Sequence, residues 1–167
     1  MGYSHYWSVD MSGVKRPVAE RDWKTCLRAC QSLIYAVSQA EGGLSGFNAH
    51  TKPGVYGGLK LNGSRENAAE DFCFREHWSE NVGRQSCKTY QRQYDACVVA
   101  CLCIIDHYMG RHGFTCSSDG DAQDWLEGIA LVHLYTRLQV RLPGTIRSPT
   151  DAVQSGRKTG PVLRLVN

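Results

Sequence analysis

The chain has 167 residues, with 19 lysines and arginines against 16 aspartates and glutamates, a net charge of +3. That length suits one domain rather than two separate cores, and 42% hydrophobic with 21% charged residues excludes a wholly disordered chain. The longest apolar run lies between Asp95 and Asp106, far short of the ~20 residues that a membrane span needs.

The charge is uneven. Residues 1–138 hold 14 basic and 15 acidic side chains, whereas beyond them Arg141, Arg147, Arg157, Lys158 and Arg164 face only Asp151. Nucleic acid is therefore expected only through the basic C-terminal segment, because a nucleic-acid-binding core normally carries its own basic stripe. The eight cysteines include no Cys-x-x-Cys pair, so metal-clamp spacing is missing. Cys26 with Cys30, and Cys97 with Cys101, are four apart on helical stretches and read as buried thiols. With no leader-like stretch ahead of Tyr3, the expected location is the host cytoplasm, or a virion for a structural component.

Residues 3–9 are rich in aromatic side chains and read as a first strand. Residues 19–39 form the clearest helix, with Trp23, Leu27, Cys30, Ile34 and Val37 on one stripe and Asp22 in its acidic first turn. Residues 41–58 contain six glycines and Pro53 and are expected to be a long loop that could cover a site. Short strands follow at 59–62, 71–75 and 85–89, then a buried helix over 94–109 with Gly110 as its cap. A strand at 114–117 and a helix over 121–138 complete the domain. This order, β-α-β-β-β-α-β-α, predicts an α+β fold: a single layered domain over residues 1–142, with one mixed sheet of about five short strands and helices packed on it. Residues 143–167 are expected to be a flexible basic tail.

The chain opens Gly2-Tyr3-Ser4-His5-Tyr6-Trp7, continues through Glu70-Asp71-Phe72 and Cys87-Lys88-Thr89 to Tyr94-Asp95, and then carries Ser117-Ser118-Asp119-Gly120-Asp121 ahead of Asp124-Trp125. This ordered set resembles a family of short bacterial and phage proteins without an established activity. The resemblance spans residues 2–138 and implies one soluble domain. Two departures stand out: Ala69 occupies a position where relatives often have His, and Arg92-Gln93 replace a Lys-Pro pair.

The polar motifs supply the candidate site. Asp119-Gly120 suits a turn, and Asp121 with Asp124 suits a helix cap. Lys88 and Thr89 precede a helix start, where N–H groups can hold an anion, although no Gly-rich P-loop precedes them. In a strand, His5 and Trp7 share one face and Tyr6 the other. The leading expectation is a binding module for a nucleotide-like small molecule or a host protein, using His5, Trp7, Lys88, Thr89, Asp119 and Asp121. A metal-dependent hydrolase with Glu70, Asp119 and Asp121 as ligands and His5 as base is one alternative. A virion-associated assembly protein with a basic tail is the other. None of these patterns implies a cofactor.

Overall fold

The computed structural model describes residues 2–146. Alternation along the first strand, β1 (Ser4–Val9), buries His5, Trp7 and Val9 and leaves Tyr6 exposed, the period-2 pattern of a sheet covered on one side. Strand β1 is the middle strand of an antiparallel sheet ordered β5-β1-β6, where β5 is Gly83–Lys88 and β6 is Phe114–Ser118. The register pairs His5 with Cys87 and Ser118, and Tyr6 with Ser86 and Ser117. Strands β5 and β6 both run antiparallel to β1, so they are parallel to each other with β1 between them. Their connection is α3 (Asp95–Met109), which makes a split β-α-β unit.

The expected single mixed sheet is corrected. A second antiparallel sheet, ordered β2-β3-β4, is formed by Leu44–Ser45, Leu59–Gly63 and Phe72–Phe74. Glu70, just ahead of the third of these strands, links to the first sheet, its N–H donating to Lys88 O at 3.3 Å. Beyond β4, side chains take the backbone groups that another strand would have paired. Arg75 N–H donates to Asn81 Oδ1 at 2.8 Å, and Arg75 O accepts from Trp23 Nε1 at 3.2 Å. Once satisfied in this way, that stretch has nothing left to add to a ladder.

An aromatic cluster joins the two sheets to the helices. Trp7 stacks on Phe74 with ring centroids 5.2 Å apart, and Trp23 lies 4.9 Å from Trp78. The stripe predicted for α1 (Arg16–Glu41) is buried as expected, from Trp23 through Val37. The helix begins earlier than the apolar pattern indicates, with Pro17 in its first turn, where a fixed φ and a missing N–H cost little. Asp22 is consequently not in the first turn. It reaches across to the turn before β6, where His112 Nε2 and Arg111 Nη2 lie 2.8 and 2.7 Å from its Oδ2.

Helix α3 is buried nearly all round, and α4 (Leu126–Tyr135) crosses it where a Cβ on Gly128 would overlap Val99. Gly110 keeps helical angles and leads into a 3₁₀ turn; the left-handed residue is Gly113, at φ 86°. The last helix is shorter than predicted, with a 3₁₀ turn over Gln123–Trp125 ahead of it. The glycine-rich segment is more ordered than a plain loop, for it holds β2 and the short helix α2 (Phe47–His50). The buried Gln31 amide fastens its far end, donating to Tyr56 O and Gly58 O at 3.0 Å and accepting from Gly54 N–H at 2.9 Å.

None of the eight cysteines is in a disulfide; seven are buried and Cys73 is exposed. Among the described residues, no helix is long and apolar enough to cross a membrane. Val140 and Ile146 are buried, and Thr145 Oγ1 donates to Cys116 O. The rest of the expected tail, residues 147–167, lies outside the described residues.

Hydrogen bonds from His112 and Arg111 hold the Asp22 carboxyl at about 2, below its ordinary 3.8. A carboxylate depressed in the folded state stabilises above its unfolded value and loses that contribution as the pH falls toward the folded one. Chemical denaturation as a function of pH should therefore show stability declining from about pH 4 to pH 2. Asp22→Asn should lower stability at neutral pH and flatten that acid limb.

Candidate functional site

The three polar motifs meet at one end of the β5-β1-β6 sheet. His5 enters this end from β1, Thr89 follows β5, and Asp95 opens α3. The fully buried His5 ring has Nε2 2.8 Å from Asp95 Oδ1, and the Thr89 hydroxyl donates to the same oxygen. Trp125 and Tyr3 meet the imidazole edge-on, at 5.6 and 5.2 Å. Nδ1 of His5 has no hydrogen-bond partner among the described residues. A general base must reach its substrate, whereas this imidazole is 0% exposed. The pair's visible effect is to tie the central strand to a helix start.

The remaining predicted residues separate around this buried knot. Trp7 belongs to the aromatic core. Lys88 is opposite Ser4 on the other face of the sheet from His5, and its backbone N–H donates to Glu70 Oε2 at 2.8 Å. Asp119 prolongs the β1–β6 pairing: its N–H donates to Ser4 O, and its Oδ2 accepts from Ser4 N–H at 2.9 Å. Asp121 Oδ1 accepts from Gln123 N–H at 2.8 Å, while Asp121 N–H donates to Asp124 Oδ2 at 3.0 Å. Asp121 and Asp124 thus close the turn ahead of α4, in keeping with the capping chemistry. Among the described residues, no group of three or more His, Cys, Asp and Glu side chains is arranged to hold a metal ion. Glu70, Asp119 and Asp121 are not gathered into such a group.

Next to the knot, two consecutive residues adopt left-handed backbone, Tyr90 at φ 56° and Gln91 at φ 54°. The preceding turn is anchored by Thr89 and Tyr90 N–H groups, both donating to Tyr3 O at 3.0 and 3.1 Å. Tyr90 is exposed, and Lys88 Nζ and Arg92 Cζ each lie 5.6 Å from its ring centroid. Gln91 is exposed as well, and its Nε2 donates to Asp124 Oδ1 at 3.4 Å. It lines a cleft of about 340 Å³ between residues 91–96 and 123–127, where Gln93, Gln123, Asp124 and Glu127 also contribute. Burial pushes the Tyr3 hydroxyl up to about 12, and the nearby carboxylates of Asp95, Asp124 and Asp119 act in the same direction. This acidity disfavours an anion in the cleft itself. Arg92 also lines the cleft, with its Nη1 donating to Glu66 O at 2.8 Å and to Ala68 O, and Lys88 lies beside the Tyr90 ring.

A second concavity, of about 410 Å³, lies on the outer sheet face among Tyr6, Ser8, Arg84, Thr115 and Ser117. It gathers hydroxyls but few charges.

The structure brings His5 and Thr89 together on a common partner, Asp95, which the sequence reading did not place in the site. Strand parity was the available signal, since His5 shares its face with Trp7 and Val9 and must be buried with them. A buried imidazole needs a partner, and Asp95 in the adjoining helix start was the acidic candidate. The left-handed Tyr90-Gln91 pair left no trace in the residue types.

No family model, curated protein or solved structure matches the chain. The geometry and the motif set therefore carry the functional reading between them.

Removing one member of a buried, hydrogen-bonded pair typically costs about 3–5 kcal/mol. Asp95→Ala should therefore destabilise the protein by roughly 3 kcal/mol in urea titrations, following that rule. Thr89→Val, which removes one donor and keeps the shape, should cost about 1 kcal/mol. An Asp95→Ala loss below ~0.5 kcal/mol, no more than an average surface change, would show that the knot is not a fastening.

Proposed function

We propose that the protein is a small binding module for a nucleotide-like ligand, taken up at the α3 end of the β5-β1-β6 sheet. The observation that carries this reading is the left-handed Tyr90-Gln91 pair. Each non-glycine residue in that conformation costs about 1 kcal/mol or more, and such strain is concentrated where side chains must be aimed. Here it sets an exposed aromatic ring near Lys88 and Arg92 and an exposed carboxamide beside Asp124.

The chemistry suits a nucleotide in two parts. Gln91 and Gln123 offer both donors and acceptors to the edge of a base, and Asp124 and Glu127 accept from its amino groups. A phosphate is repelled by those carboxylates and is accommodated beside the Tyr90 ring, by Lys88 and by the part of the Arg92 guanidinium that Glu66 O and Ala68 O leave free. Lys88 and Asp124 belong to the motifs that resemble the bacterial and phage family, whereas Arg92 is one of the departures from it.

Isothermal titration calorimetry against nucleoside mono-, di- and triphosphates should reveal at least one ligand, and no heat from any of them would overturn the proposal. Gln91→Gly separates strain from recognition. Glycine relieves about 1 kcal/mol at a positive φ, which for a chain of this size raises Tm by roughly 3 °C. The same substitution should weaken nucleotide binding at least fivefold; unchanged affinity would remove Gln91 from the site.

A further inference from the structure

Away from this site, the solvent face of α1 forms a groove with the far end of the glycine-rich segment. Its volume is about 640 Å³, and one wall is Arg21, Lys24 and Arg28. Residues three and four apart share a helix face, and a rise of 1.5 Å per residue sets these cations at steps of about 4.5 and 6 Å. All three are exposed. Arg21 contacts Asp22 at 3.2 Å, while Lys24 and Arg28 have no ion-pair partner among the described residues. The opposite wall presents the exposed side chains of Val55 and Tyr56, and Glu76 is the one carboxylate lining the groove. That wall is already fastened by the buried Gln31 amide, so a ligand would meet an ordered surface and lose little entropy in shaping it.

We infer that this groove binds single-stranded nucleic acid, with backbone phosphates along Arg21, Lys24 and Arg28 and a base against Tyr56. The argument is charge complementarity joined to an aromatic face. A row of cations tracks a phosphate chain, and an exposed ring accepts any base by stacking, which together make a sequence-tolerant strand site. An acidic peptide would use the cations and leave the Tyr56 ring without a role. The groove owes nothing to the Tyr90-Gln91 cleft, so the two sites stand or fall separately.

The test is fluorescence anisotropy of a labelled thymidine dodecamer with the full-length chain across a salt series. Three phosphate contacts on a single strand predict that log K falls against log salt with a slope of about −2. The combined variant Arg21→Gln, Lys24→Gln and Arg28→Gln should lose the binding and most of the slope, with circular dichroism confirming that it remains folded. Tyr56→Ala, off the helix, should weaken binding by about tenfold, the worth of one stacked base. Undiminished binding and slope in the triple variant would assign the strand to other basic residues and overturn the inference. So would full competition by polyglutamate together with unchanged binding by Tyr56→Ala.

Discussion

His5 and Asp95 are 90 positions apart in the chain and 2.8 Å apart in the fold. Their bond joins the middle strand of the main sheet to the first turn of its most buried helix. The Thr89 hydroxyl adds the end of the neighbouring strand to the same oxygen. Taking these groups out of water is expensive, and the short contacts of Asp95 Oδ1 with His5 Nε2 and the Thr89 hydroxyl offset part of that cost. An arrangement that satisfies them must bring β1, the end of β5 and the start of α3 together in one register. The convergence of the three polar motifs follows from that constraint, because each motif is a short extension of one of these elements.

The outer surroundings of the knot and its interior obey opposite electrostatic rules. Inside, a single carboxylate is surrounded by donors and aromatic edges. Outside, Lys88 and Arg92 lie near the Tyr90 ring, an arrangement in which ring and cations attract even where water screens charge. Asp119, Asp121 and Asp124, which could have been read as metal ligands, are instead occupied by backbone amides at 2.8–3.0 Å. Their hydrogen bonds shape the turns that bring Gln123 and Glu127 to the cleft.

Net charge proved a poor guide to surface charge. Residues 1–138 are nearly neutral in sum, yet α1 turns Arg21, Lys24 and Arg28 to one side and directs Asp22 to His112 and Arg111. Helical geometry separates charges that alternate along the chain, so a neutral segment can carry a basic face. The glycine-rich segment contributes in the same way. Its composition suggests mobility, but the carboxamide of Gln31 holds three of its backbone groups, and this turns a loop into a wall.

Local periodicity made a large part of this protein legible in its sequence. The alternation of β1 and the stripe of α1 depend only on 2- and 3.6-residue repeats, and both appear in the structure where the pattern places them. The α+β class followed from the order of such elements. The division into two sheets could not be read, because residue types do not say which strands pair, and Arg75 could as well have bonded to a strand as to Asn81 and Trp23. The partner of His5, the left-handed turn at Tyr90-Gln91 and the basic groove on α1 were hidden for the same reason. Each is settled by contacts between distant segments, and only the folded chain determines which of many chemically acceptable partners comes within reach.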